Sequence, residues 1–381
     1  MLFLKKAQSL QPWLSQVYRS LHKIPEIGRE LPKTKALVKR ELDSMGIKYR
    51  ECAGGILAEL PAGKGKPIVA LRADMDALPV TEKTGLPHSS IHPGKMHACG
   101  HDAHMTCALG ALKLLSGEDE RSATLRVMFQ PAEETTGGAD LMIKDGALDG
   151  VSRAICLHIA SYILAGQIGV ITGPTRGSSD DFYITIHGRG SHGGYPHLGI
   201  DVITGAAQIV STLQTLISRE TNPFDSAVIT IGKLDAGTAP NVIPDTAHLA
   251  GTIRALRQPT REYICHRMRE VVTQVASAMR MSAEIAFDPS YPALFNDAGE
   301  SERVRKVGVE LLGAENVITP EFPQLGVDDF AYVTQKVPGC YVDLGCGRVN
   351  ETPEPLHSPK LFPDESCLAV GAALIAAYTL D

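Results

Sequence analysis

The stretch His97-Ala-Cys99-Gly-His101-Asp102-Ala-His104 crowds side chains able to bind a metal or move a proton into one short segment. A strand-like run further on ends in Gln130-Pro-Ala-Glu133-Glu134. Cys, His and Glu are the usual ligands of Zn²⁺ and similar ions. Together the two segments offer several such donors and a spare carboxylate, so some groups can hold metal while one moves protons. His158 and His357, which end or follow other segments, could complete the set.

Each feature is weak alone. The Cys99-Gly-His101 spacing does not suit one helix face, but a turn at Gly100 can aim both side chains at one point. A lone Cys-x-His would read as a buried thiol beside a helix cap; the neighbouring histidines and the glutamate pair turn the reading towards metal. In extended backbone, adjacent side chains point opposite ways. One of Glu133 and Glu134 can then ligate while the other faces substrate, the alternative being a solvated acidic turn. Asp74 ends a buried strand, where it would orient a ligand histidine or serve as an ordinary cap. His158 alone would be a satisfied core histidine, and His357, among prolines, a surface one. His97 and His104 are expected to give supporting hydrogen bonds rather than ligation.

The elements that must position these groups alternate. Helical patterns at 12–21, 31–45, 103–115 and 139–144 intersperse with strand patterns at 67–72, 124–129 and 153–157. This predicts an α/β fold, a mostly parallel sheet with helices on both faces. In such sheets ligands bind beyond the carboxyl ends of the strands. Asp74, Cys99, Glu133, Glu134 and His158 all follow strand or loop segments before a helix opens.

A second pattern starts after Gly177: strand 182–187, helix 201–217, strands 227–231 and 247–255, helix 260–279 and strand 283–287. The helix 201–217 is expected to bury Ile203, Ala206, Val210, Leu213 and Ile217. This order is the split βαβ of ferredoxin-like domains. It predicts an inserted α+β domain at 179–290 within a discontinuous catalytic domain, 1–178 and 291–381. Helices at 300–312 and 363–378, a strand at 339–344 and a proline-rich loop at 353–359 complete the chain.

Bulk properties bound the partners. The chain has 381 residues with a net charge of −6, which disfavours nucleic acid and anionic membranes. Its N-terminus reaches charge at Lys5 and Lys6 too early for a signal peptide. The apolar run 370–380 is far short of the ~20 residues of a membrane span. The 8 scattered cysteines fit a reducing cytosol, so a cytoplasmic protein is expected. Gly188-Arg-Gly190-Ser-His192-Gly193 matches a dinucleotide fingerprint, but no helix pattern opens at its third glycine, which argues against a nicotinamide-dependent oxidoreductase.

These segments resemble a known family. His97 to His104 and Gln130 to Glu134 are similar to signatures of the co-catalytic metallo-amidohydrolases and peptidases related to aminoacylase and glutamate carboxypeptidase. The match is best to hippurate hydrolases, N-acyl-amino-acid amidohydrolases, acetyl-diaminopimelate deacetylases and auxin-conjugate hydrolases. It spans nearly the whole chain, including Arg19 to Glu26, Leu71 to Pro79, Gly137 to Ile143, Gly188 to Pro196, Ala239 to Pro244, Gly251 to Arg254 and Leu356-His357-Ser358. The resemblance implies two divalent ions per subunit, Zn²⁺ or Mn²⁺, on Cys99, His101, Glu134, His158 and His357, with Cys99 bridging as a thiolate. It implies Glu133 as general base, His192 and Asn241 at the reacting carbonyl, and Arg254 at a substrate carboxylate. The insertion would be a lid and dimerisation domain of a homodimer, with the lid histidine crossing to the partner subunit in related dimers. The substrate would be an N-acyl amino acid cleaved at its amide; a metallodipeptidase on the same scaffold and a non-catalytic metal binder are the alternatives. The sequence departs from the family at Val327-Asp328-Asp329-Phe330, usually Ser-Glu-Asp-Phe, and at Ile159-Ala-Ser161, where a proline is common.

Overall fold

The computed structural model describes residues 2–381, apart from the side chain of Pro289. The chain forms two compact units. The first comprises the chain up to Gly173 with Phe295–Phe322 and Asp329–Asp381; the second comprises Pro174–Leu294 and Pro323–Asp328. The expected insertion, 179–290, falls inside the second.

The first unit is a mixed α/β fold on an eight-stranded sheet. Its centre is four parallel strands in the order Thr124–Gln130, Ile68–Asp74, Val151–Leu164 and Gly339–Gly347. These are near-continuous apolar runs, as expected of strands covered on both faces. Register aligns their ends: Asp74 lies opposite Gln130, Arg72 opposite Cys156, and Asp343 opposite His158. The ends of several chemical segments therefore share one row.

The sheet is not parallel throughout. Lys48–Cys52 and Gly55–Leu60 form a hairpin that pairs antiparallel with Thr124–Gln130. This hairpin escaped the sequence reading because its outer strand is polar and largely exposed. Its two-residue turn, Ala53-Gly54, has φ of 46° and 89°, the double left-handed backbone that matches strand twist. Another unexpected element is the helix Leu2–Ser9.

Two helices buried nearly all round, His101–Ser116 and Cys367–Leu380, pack on each other. A helix apolar on every side belongs in a core. Their backbones approach closely: a Cβ on Gly110 would lie 2.8 Å from that of Ala372, and one on Gly371 would lie 2.5 Å from the Cys107 sulfur. The last helix begins at Cys367 rather than 363: residues 363–364 are irregular and 365–366 form a turn.

The second unit has its own core. Its antiparallel sheet runs in the order Ala227–Ala236, Thr246–Ala255, Ser178–His187 and Ser282–Pro289, joined by the helices Val202–Thr215 and Gln258–Ala278. Phe182, Ile184 and Ile186 alternate inward and meet Ile209, Leu213, Ile264 and Met268. Asp201 caps the first helix, accepting hydrogen bonds from the amides of Ile203 and Thr204. That start turns the buried stripe to Val202, Ala206, Ile209 and Leu213, leaving Ile203 45% exposed. Of the expected stripe, Ala206 and Leu213 are buried, whereas Val202, Ile209 and Leu216 take the places of Ile203, Val210 and Ile217. Among the described residues no helix is long and apolar enough to cross a membrane.

Candidate metal centre

Gly100 joins Cys99 to the helix that opens at His101. Its φ is 81°, and a Cβ there would fall 2.2 Å from Cδ1 of Ile159. Only glycine tolerates both the left-handed backbone and this approach. The strand bearing His158 can therefore reach the Cys99 turn, and Cys99 Sγ stands 3.5 Å from His158 Nε2. His158 Nδ1 donates to the Ile159 carbonyl at 2.9 Å, which leaves the Nε2 lone pair available for a metal.

His104 lies in a candidate metal-holding group with Asp74, His101 and His158, although both its ring nitrogens are engaged. Its Nδ1 donates to Asp74 Oδ1 at 2.6 Å and its Nε2 accepts from the Ile159 amide at 2.9 Å, so both ring nitrogens are used. The supporting role expected of it is what the geometry provides. His97 differs: it is 2% exposed and neither ring nitrogen has a hydrogen-bond partner. Burial pushes it down to about 4, so it sits as a neutral packed ring rather than a supporting hydrogen-bonder.

Glu133 and Glu134 lie in a turn, not in extended backbone. Ala132, with φ 61°, reverses the chain just before them. Asp76 then clamps the pair: its Oδ1 accepts from the Glu133 amide at 3.0 Å and its Oδ2 from the Glu134 amide at 3.1 Å. Asp76 Oδ1 also lies 3.6 Å from His101 Nδ1. The sequence reading assigned Asp76 nothing, although its place two residues past Asp74 at a buried strand end was visible.

Asp74 is fully buried, 3.4 Å from His101 Nε2. It pairs with the buried Arg72, whose Nη1 donates to Asp74 Oδ2 at 2.6 Å and whose Nη2 donates to Asp329 Oδ1 at 2.7 Å. The other Asp329 oxygen accepts from Gln130 Nε2 and from the amides of Gly138 and Ala139. This network anchors both ends of the segment that carries the glutamate pair, and its members Arg72, Gln130 and Asp329 were missed.

His357 is held beside Glu134. Its amide donates to the Ala98 carbonyl at 2.7 Å, and its φ of 69° is left-handed. Such strain at a non-glycine residue costs roughly 1–3 kcal/mol and collects at functional sites. Glu134 Oε1 lies 3.2 Å from His357 Nε2 and 3.9 Å from His101 Nε2. Donor atoms of Cys99, His101 and Glu134 all fall within 4.8 Å of one another. The fold thus gathers Cys99, His101, Glu134, His158 and His357 in one place.

The donor set fits a cation. Both nitrogens of His101 and Oε1 of Glu134 are buried with no hydrogen-bond partner, although buried polar groups are normally satisfied. Burial opposes a charge on His101, but Asp74, Asp76 and Glu134 overcome it and lift its pKa to about 10. Burial and then the charges of Glu134, Glu133 and Asp74 hold the Cys99 thiol far above its usual range. Buried surroundings that favour positive charge and disfavour a thiolate suit a cation, which would reverse the thiol's preference.

The remaining candidates belong to the second unit. His192 pairs across a short ribbon with Val242, the Gly193 amide donates to the Asn241 carbonyl at 2.8 Å, and His192 Nδ1 accepts from Gly194. Arg254 lies opposite Val228 and Ser179 in the antiparallel sheet. The glycine run there leads to a ribbon and the single turn Pro196–Leu198, without the helix that a dinucleotide fingerprint opens.

Residues 70–381 match peptidase family M20/M25/M40. The chain belongs to this family. As an M20 member it is 38% identical over 363 residues to the N-acetyl-L-cysteine deacetylase of Bacillus subtilis (strain 168), covering 94% of this chain and 86% of that one. It is 37% identical to IAA-amino acid hydrolase ILR1-like 5 of Arabidopsis thaliana, covering all of this chain and 90% of the relative. In structure this M20 chain overlays the YXEP protein of Bacillus subtilis, a dinuclear metal-binding peptidase of the same family. The TM-score is 0.86 at 33% identity, covering 98% of each chain.

Proposed function

We propose that this M20 hydrolase is a metal-dependent amidohydrolase that cleaves N-acyl amino acids to a carboxylate and a free amino acid. The observation that carries the reading is the gathering of Cys99, His101, Glu134, His158 and His357 with orphaned donor atoms on His101 and Glu134. Those five residues would hold two divalent ions per subunit. Such ions supply Lewis acidity, polarising the amide carbonyl and lowering the pKa of water towards ~7. The mix of thiolate, imidazole and carboxylate suits Zn²⁺ and also tolerates Mn²⁺.

Glu133, only 7% exposed and with its backbone clamped by Asp76, would take the proton of the attacking water and pass it to the leaving nitrogen. A positioned acid-base group typically contributes ~10²–10⁴-fold. His192 and Asn241 would donate to the oxyanion, where losing one donor costs roughly 3–4 kcal/mol. Arg254 would grip the substrate carboxylate by paired hydrogen bonds. Asp74 and Asp76 would steady His101 and the glutamate pair. Under this reading the second unit, strand–helix–strand–strand–helix–strand, is a ferredoxin-like lid and dimerisation domain of a cytoplasmic homodimer.

The test is a metal-reconstituted assay on N-acetyl and N-benzoyl amino acids and dipeptides, read by released amine. The expected result is cleavage of acyl amino acids, lost by ~10²-fold or more in Glu133→Gln with metal content retained. Full activity in that variant contradicts the role of Glu133, and faster cleavage of dipeptides favours a dipeptidase.

A further inference from the structure

The first unit contains a cavity of about 300 Å³ lined by none of the candidate metal ligands. Its walls come from the helix Gln11–His22, the loop around Pro87, and the chain before the last helix. Two polar side chains line it. Tyr18 is 1% exposed and its ring meets that of His88 edge-on, with centroids 6.0 Å apart. Arg348 lies over the ring of Phe362, 4.1 Å from its centroid.

The charges sort by pairing. Arg19 forks onto Glu365, Nε to Oε1 at 2.8 Å and Nη2 to Oε2 at 3.1 Å, so these two cancel. His88 is disfavoured from charging by burial and by the neighbouring His22. Arg348 is then the one lining cation without an ion-pair partner among the described residues. The rest of the lining, Leu86, Pro87 and Pro363, is apolar.

We infer that this cavity is a second ligand site, for a small monocarboxylate with an apolar flank. The carboxylate would meet Arg348 and the Tyr18 hydroxyl, and the flank would lie against Leu86, Pro87 and Pro363. A guanidinium matches a planar carboxylate in geometry, and the volume is at the small end of ligand pockets. A single unpaired guanidinium suits a monoanion better than a phosphate dianion. The inference stands apart from the proposed hydrolysis, because no candidate catalytic residue lines the cavity.

The test is calorimetric titration of the metal-loaded protein with sodium benzoate, with acetate and inorganic phosphate as separate arms. Benzoate is expected to saturate a site, with acetate and phosphate at least about tenfold weaker. Arg348→Gln should weaken benzoate about tenfold or more and Tyr18→Phe several-fold, with unliganded melting temperatures near that of the parent. Benzoate affinity unchanged in both variants, as for binding at the metal centre only, overturns the inference. Phosphate binding more tightly than benzoate, or no benzoate binding at all, also overturns it.

Discussion

Gly100→Ala is the smallest change that should disturb the metal centre without touching a ligand. Alanine at φ 81° pays the left-handed penalty of roughly 1–2 kcal/mol. Its Cβ would also fall 2.2 Å from Cδ1 and 2.5 Å from Cγ1 of Ile159, a side chain only 1% exposed. Forcing that overlap into a packed core costs about 1–3 kcal/mol more. Ile159→Ala alone should cost ~2–5 kcal/mol through its cavity. In the double variant the overlapping atoms are gone, since Ile159 Cβ lies an ordinary 3.6 Å away. The two changes should therefore fall short of additivity by about 1–3 kcal/mol, the overlap term. Urea denaturation of the four proteins measures this, read by the single tryptophan, Trp13, which lies in the first unit. Metal affinity should follow the same pattern, because the collision sits between Cys99, His101 and His158. Additivity within ~0.5 kcal/mol would refute the claim that close approach is why residue 100 is glycine.

Asp329→Asn removes one partner of a buried ion pair while leaving Arg72 its bond to Asp74. It should lower unfolding free energy by roughly 3 kcal/mol, and a denaturation midpoint equal to the parent's would contradict the anchoring role given to this network. A pH effect is expected from His22, whose Nδ1 lies 2.6 Å from Asp102 Oδ2 and whose Nε2 lies 3.3 Å from Glu82 Oε1. Burial opposes its charge, but these hydrogen bonds prevail and lift its pKa from 6.5 to about 10. Glu82, also against burial, is drawn from 4.5 to about 2 by His22 and by the Ser90 amide. A raised histidine stabilises the fold fully below pH 6.5 and loses that contribution as pH rises to 10. The lowered Glu82 contributes above pH 4.5 and loses it as pH falls towards 2. Parent and His22→Gln should thus differ most in stability between pH 4.5 and 6.5, and a difference that does not change with pH would be inconsistent with a charged His22.

Much of the candidate metal centre is legible because its possible donors sit in short runs. Cys99 and His101 are two apart, the glutamates adjoin, and both follow apolar strands whose ends a parallel sheet aligns. What escaped was whatever depends on partners distant in sequence. Nothing near Arg72 announces Asp329, and the pairing of His22 with Asp102 spans two helices. Asp328 departs from the family motif, whereas the adjacent Asp329 accepts the hydrogen bonds from the amides of Gly138 and Ala139. The glutamate pair was read as extended because alternation is the default after a strand; the left-handed Ala132 cannot be inferred from residue type. The exposed outer strand Lys48–Cys52 lacks the alternation that marks a strand, and its pairing is set by the turn that follows.

The central claim is that five side chains distant in sequence hold a pair of cations. Anomalous diffraction at the absorption edge of the loaded metal, from crystals of the reconstituted protein, tests it directly. Two peaks are predicted, both contacting the Cys99 sulfur, with His101, Glu134, His158 and His357 completing their surroundings. A single peak that avoids Cys99, or peaks lodged instead at His22, Glu82 and Asp102, would contradict it.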